Sequence, residues 1–471
     1  MTPNKKTIQK KSQPKISDPP VKAAREILEG FLNLADSATC IPPSHYHHSD
    51  LLAGPSVFHH TTFLYDLAIF MMALNQAGFR RQHWTIVEFV LKAYELRLGM
   101  TVEYQGVFGF RNAFNRSNGE GILEWWITPG PMAFMIFALL DSYGSLKDKK
   151  LLELALCFGE VLLKMQREDG AVIDGSRGPD QQQTSDAVYA EPHLDACAAF
   201  GRLFELTEGR KWLTAAEKAH QYFTGHLLQP SCGLIHQGII GQSAQTIHAT
   251  DVYAWAFLGP FLKWVDSEDL ISLMEYNLKK TLVRVKVSLP DGRSVDVCGA
   301  DFTDPADDAI IAARSGFHPM VSIEWTAGVI SSLYSSAIRL WKVYEVTGKS
   351  GYRQKSQEFT AIGDELLAGL KKCFYKIPDI SVGKIGFYAS GQDAPIGHGW
   401  NTFHFNTPEL KGGSLASVWA VFPLLGYNPF SGEYYLEELN RIRRQTSGNA
   451  GANAIRKYTD GRFFEEVNGS A

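Results

Sequence analysis

Two kinds of apolar segment alternate along the chain. The first kind is apolar on nearly every side. It comprises "TTFLYDLAIFMMALNQAG" (61–78), "EWWITPGPMAFMIFALLDSYG" (124–144), "EPHLDACAAFGRLFELTEG" (191–209), "TDVYAWAFLGPFLKWV" (250–265), "IEWTAGVISSLYSSAIRLWKVYEVTG" (323–348) and "SLASVWAVFPLLG" (414–426). Each is followed by a segment of the second kind, with a single apolar stripe: 83–99, 150–166, 211–228, 269–285, 352–374 and 434–444. A helix that is apolar all round must be buried all round, whereas one with a single stripe lies at a surface. Six buried helices alternating with six outer ones predict an all-α fold, a closed (α/α)6 toroid of six helical hairpins.

The inner segments start about 60 residues apart, stretching to about 75 and 90 towards the end. Two insertions account for the stretching, 286–318 and 375–412. Both are rich in Gly, Pro and Asp and predict long loops or short strands; loops of that length in a compact domain are usually functional. The expected organisation is one toroid over 22–471, with a short extra helix near 22–35, preceded by a disordered basic tail over 1–21. Val and Ile runs are short, which argues against a β-rich fold.

Composition is that of an ordinary globular protein: 471 residues, 45% hydrophobic, 20% charged. The formal charge of −4 comes with no clustered basic face, so no nucleic-acid partner is expected. No apolar run approaches the roughly 18 residues of a membrane helix, and the basic N-terminus has no apolar region of the signal-peptide type behind it. The six cysteines are far apart, without zinc-binding spacing. These features predict a cytoplasmic protein without a membrane or cofactor requirement. Asp301, Asp304, Asp307 and Asp308 hint at Ca²⁺, but their spacing is not that of an EF-hand loop, and no metal is expected.

Acids recur at the starts of the inner segments: Asp66, Glu124, Glu191 with Asp195, Asp251 and Glu324. The sixth start has none. Acids near helix N-termini also favour the helix dipole, and Asp is a common N-cap, so a purely structural role is open for each. Glu is a poor cap, however, and Glu124, Glu191 and Glu324 all stand beside aromatics. In a toroid the six starts surround one mouth. Carboxylates gathered there repel, which raises the pKa of at least one. Glycosidic cleavage requires one protonated carboxyl and one ionised carboxylate. Trp125, Trp126, Tyr189, Tyr253, Trp255 and Trp325 lie within four residues of these acids; their flat rings suit the apolar face of a pyranose. In "VYAEPHLDACAAF", Pro192 fits the first helical position with Glu191 as cap, Glu191 and Asp195 stand one turn apart, and His193 points elsewhere.

The combination "FLYDLAIFMMAL", "WWITPGPMAFMIFALL", "VYAEPHLDACAAF", "HATDVYAWAFLGP", "IEWTAGV" and "GGSLASVWAVFPLLGYNPF" resembles the six-hairpin glycosidase superfamily. More narrowly it is similar to a bacterial glycoside-hydrolase-like branch whose third inner helix reads like T-E-H-N-L-D-A and whose fifth reads like V-E-G-T-A, with a G-H-G-W loop before the last hairpin. Glu191 and Asp195 match the first motif, Glu324 the second, and Gly397, His398, Gly399 and Trp400 the third. Pro192 and His193 depart from the branch, as does Trp325. The resemblance spans residues 60–430 and implies carbohydrate chemistry: hydrolysis of glucans, of unsaturated uronides, or related reactions.

The expected function is glycoside hydrolysis of an oligo- or polysaccharide. Glu191, Glu324 and Asp251 are the catalytic candidates. Asp66, Glu124, Trp125, Trp126, Tyr189, His193, Asp195, Tyr253, Trp255, Trp325, His398 and Trp400 are candidates for substrate binding, the last two on a lid-like loop. The competing expectations are a sugar epimerase of the N-acylglucosamine 2-epimerase type and a glycan-binding toroid without catalysis.

Overall fold

The computed structural model describes residues 18–47, 60–121, 127–177, 183–229, 233–288, 294–307, 319, 321–375, 385–386, 395–397, 400–401, 406–407, 410–445, 450–459 and 463–465. Six helical hairpins form a closed double ring. The inner helices are Leu64–Gln76, Pro129–Leu146, Ala190–Thr207, Thr250–Ala256, Ile323–Thr347 and, after a 3₁₀ turn over Leu415–Ala420, Val421–Leu425. Each packs against the next, and the sixth returns to the first, which closes the ring. The outer helices are Arg80–Glu95, Lys149–Met165, Arg210–Tyr222, Ser267–Thr281, Ser350–Leu370 and Leu436–Arg443. A preceding helix, Pro19–Leu34, starts earlier than expected because Pro19 and Pro20 suit a first helical turn. Among the described residues no helix is long and apolar enough to cross a membrane.

Three expected helices are shorter than their apolar pattern. The second inner helix starts at Pro129, with Thr128 as its cap, because the residue before a proline resists helical geometry. The fourth stops at Ala256: Pro260, after Gly259, prevents a continuous helix, and only a short piece resumes at Phe261–Trp264. The fourth outer helix ends at Thr281, and Leu282–Ser288, rich in β-branched residues, becomes a strand. That strand pairs antiparallel with Ser294–Ala300, in register Leu282 to Ala300, and parallel with Phe463–Glu465. Within the 286–318 insertion, residues 286–288 and 294–300 thus belong to this strand pair, in line with the expected loops or short strands.

Further short strands lie in the segments that lead into inner helices. Thr61–Phe63 pairs with Ala113–Asn115, and Val188–Tyr189 joins Gly238–Ile240 and Ser243–Gln245. His45–His47 pairs with Leu410–Ser414, just before the sixth inner segment.

Aromatic side chains fill the ring axis. Trp255 of the fourth inner helix stacks on Trp419 of the sixth at 4.7 Å, and Phe134 of the second meets Trp419, Tyr65 and Phe430 edge-on. Trp255, Trp419, Phe134 and Phe430 are all buried. The far end of the ring is tied by a buried polar cluster around Asp141. Its carboxylate accepts from Arg202 (2.7 Å), Gln76 (3.2 Å) and the Tyr427 hydroxyl, joining the ends of the first three inner helices and the segment after the sixth. One end of the ring is thus locked by buried polar bonds.

Candidate active site

At the opposite end, three inner helices carry an acid as their second residue: Glu191, Asp251 and Glu324. The first carries Asp66 as its third. These acids are not caps of the ordinary kind. Outer helices are capped by Asp148, which accepts from the Lys150 N–H at 3.0 Å, and by Asp266, which accepts from the Glu268 N–H at 2.8 Å. The fifth inner helix is instead capped by Ser322, which accepts from the Trp325 N–H at 3.3 Å, leaving Glu324 out of the role. Glu191 does not cap its helix either: Tyr189 occupies the cap and Pro192 the third helical position, a correction to the expected arrangement. Only Asp251 bonds the helix start, accepting from the Val252 N–H at 2.8 Å.

These acids lie within electrostatic reach of one another at this end of the ring. Glu324 feels Asp66, Asp251 and Glu191, and Glu191 feels Asp251 and Asp174. Burial is the largest influence on each, because a charge in a low-dielectric pocket is costly. It pushes Glu191 up to about 8; the negative neighbour Asp251 adds to this, and a hydrogen bond with Asp195 opposes it. Burial raises Glu324 to about 8 despite a hydrogen bond from Tyr65. Asp66, buried and bonded to Ser44, rises to about 7. Asp251 rises only to about 6, since backbone N–H groups stabilise its ionised form. Among the described residues, no Lys or Arg pairs with Asp66, Glu191, Asp195, Asp251 or Glu324. Among the described residues, no group of three or more His, Cys, Asp or Glu side chains could hold a metal ion.

Two residues that sequence reasoning missed complete the mouth. The Tyr65 hydroxyl donates to Glu324 Oε1 at 2.5 Å, and Trp419 Nε1 donates to the Tyr65 hydroxyl at 2.6 Å. This relay crosses the first, fifth and sixth inner segments. Its only trace in the sequence is that Tyr65 directly precedes Asp66. Glu191, Asp251, Glu324 and Tyr65 are half-buried, so each keeps some contact with solvent.

The other candidates scatter. Asp195 is buried beside Glu191. Tyr189 is half-buried at the start of the third inner helix, against Gly238. Trp325 is half-buried and packs edge-on against Phe302 at 4.3 Å. Trp255 belongs to the axial core beneath the acids. His193 and Tyr253 are corrections, because their polar atoms serve backbone groups. His193 lies between the Val172 N–H (3.1 Å) and the Ala219 carbonyl (2.8 Å), on the outer side of its helix, and burial drops it to about 4. Tyr253 accepts from the Ile235 N–H at 2.9 Å and donates to the Gly233 carbonyl at 3.2 Å. Glu124, Trp125, Trp126 and His398 lie outside the described residues, as does the side chain of Trp400. Asp301 and Asp304 organise their own loop: Asp301 accepts from the Phe302 N–H, and Asp304 accepts from Lys280 at 2.7 Å and from the Ala306 N–H.

No protein-family model matches the chain, and no curated protein sequence matches it. Solved structures do. A D-mannose isomerase aligns at TM-score 0.54 and 12% identity, over 88% of this chain and 99% of the other. The unsaturated glucuronyl hydrolase of Bacillus sp. GL1 aligns at TM-score 0.54 and 11% identity, over 91% and 98%. The cellobiose 2-epimerase of Spirochaeta thermophila aligns at TM-score 0.53 and 14% identity, over 90% and 96%. At such identities the likeness is one of architecture, and it extends over nearly the whole of each chain: this protein has the six-hairpin glycosidase fold, the (α/α)6 toroid.

Proposed function

We propose that the protein is a carbohydrate-active enzyme, and specifically a glycoside hydrolase that uses Glu191, Asp251 and Glu324. The observation that carries this reading is the unequal proton affinity of acids sharing one mouth. Near neutral pH, Asp251, at about 6, is mostly ionised, while Glu191 and Glu324, at about 8, are mostly protonated. Glycosidic cleavage needs that division: a protonated carboxyl donates to the leaving oxygen, and an ionised one activates water or attacks the sugar. Asp251 fits the ionised role, and Glu191 or Glu324 the acid. The structural neighbour that is an unsaturated glucuronyl hydrolase is consistent with hydrolysis on this fold.

Epimerisation is the second reading, since neighbours include a cellobiose 2-epimerase and a D-mannose isomerase. A histidine base for it is not found beside the acids among the described side chains: His193 is bonded to backbone, and His248 Nε2 lies 2.9 Å from Asn277 Oδ1 on the fourth outer helix. A panel of oligo- and polysaccharides, assayed for reducing ends, tests the first reading. Glu191→Gln and Glu324→Gln should each lose most of the hydrolysis while remaining folded. Full activity in both variants removes the assignment. Deuterium uptake from solvent into a free sugar, without bond cleavage, selects epimerisation instead.

A further inference from the structure

Asp195 has a chemical problem that its surroundings do not solve in the usual way. Its side chain is fully buried in the first turns of the third inner helix, and among the described residues neither carboxyl oxygen meets an N–H or O–H donor. An unpaired carboxylate in such a place is strongly disfavoured. The described groups around it supply no positive charge. On its own helix stands Glu191, one turn earlier, and across the mouth stand Asp251 of the fourth inner helix and, beyond Glu191, Glu324 of the fifth. Asp174, in the segment before the helix, also acts on Glu191. The second inner helix meets it at Gly130, where an added Cβ would sit 3.3 Å from Asp195 Oδ2 and 3.7 Å from Glu191 Oε1. Both carboxyls therefore face the same bare stretch of backbone. The polar group left to Asp195 is the Glu191 carboxyl, one turn away and against the same Gly130 backbone, a pairing that becomes a hydrogen bond when one of the two carries a proton.

We propose that Asp195 is a neutral positioning residue whose carboxyl proton is donated to Glu191, fixing the Glu191 carboxyl at the mouth and stabilising its ionised form. The bond joins two acids, so one of them must carry a proton, and the more deeply buried has more to gain from neutrality. In this arrangement Asp195 touches no substrate. It sets the pH at which Glu191 releases its own proton, and so the range in which Glu191 serves as an acid. The consequence for catalysis rests on the hydrolase reading; the carboxyl pair itself does not.

The sign of a titration shift tests the pairing without any substrate. The ionisation of Glu191 is followed by carbon-13 carboxyl NMR, with Glu191→Gln as the assignment control. Removing the donor in Asp195→Ala should move Glu191 upward by about one pH unit, the size expected for losing a hydrogen bond to a charged group. Asp195→Asn retains an N–H donor and should leave Glu191 close to its position in the parent protein. If Asp195 were instead an anion, both variants would move Glu191 downward; that result, or no movement in either, overturns the proposal. Should Asp195→Ala fail to fold, infrared difference spectra of the parent protein and Asp195→Asn decide the matter. A protonated carboxyl band that persists above the Glu191 transition, and is lost in Asp195→Asn, supports the pairing; its absence from the parent protein overturns it. Because neither measurement uses a sugar, failure of the pairing stays separate from failure on the glycan panel.

Discussion

Tyr65 shows how one residue can serve two masters. Its hydroxyl accepts from Trp419 and donates to Glu324, so its ring holds both the floor and the rim of the mouth. Tyr65→Phe keeps the ring and deletes both bonds. Glu324, already at about 8, should titrate higher still, because the hydrogen bond now opposing its rise disappears. Stability should drop by about 1–2 kcal/mol as the Trp419 N–H loses its acceptor. Carboxyl NMR and urea unfolding measure the two effects, and an unchanged Glu324 would mean that the relay does not tune it. This relay was not legible in the sequence, because its members lie 259 and 354 positions apart. The outward turn of His193 was legible: residues two apart on a helix face nearly opposite ways, so a histidine midway between Glu191 and Asp195 cannot share their side.

At the level of elements, the motif "EWTAGV" places Gly328 one turn beyond Glu324. A Cβ there would stand 2.3 Å from the Trp255 ring. Gly328 is thus the point at which the fifth inner helix admits the axial tryptophan of the fourth. Gly328→Ala should destabilise the protein by about 1–3 kcal/mol through overpacking, despite alanine's better helix propensity. Denaturant unfolding reads this directly, and a stabilised variant would show that the two helices are not in tight contact. Element type was clear from periodicity, but element ends were not. Leu282 and Val283 continue the apolar pattern of the fourth outer helix, yet pair in register with Ala300 and Gly299. Tertiary pairing decided that stretch, and a local pattern carries no information about a strand partner.

For the whole molecule, the acid mouth reverses the usual dependence of stability on pH. Carboxyls in an unfolded chain titrate near 4. In the folded protein Asp251, Glu191 and Glu324 titrate at about 6, 8 and 8, so the folded state binds more protons between those values. Their contribution is fully present below the unfolded pKa and is lost as pH rises through the folded values. The melting temperature should therefore fall between about pH 4 and 8 on their account, and Glu191→Gln and Glu324→Gln should each flatten that fall. Thermal scans across this range check it; a mouth whose acids ionise normally would show no such slope. The ring itself was readable from the sequence, because burial on all sides leaves a mark at every position of a helix. The mouth was readable only as acids recurring at helix starts. Its chemistry depends on which acids meet, and that is a property of ring closure.

The stacked Trp255 and Trp419, with Phe134 and Phe430 around them, have a consequence for traffic. These side chains fill the axis between the acid end and the Asp141 end, so the described residues leave no passage through the centre of the ring. Under the hydrolase reading, a substrate would enter and leave at the acid end, and a polymer would not be threaded through the toroid.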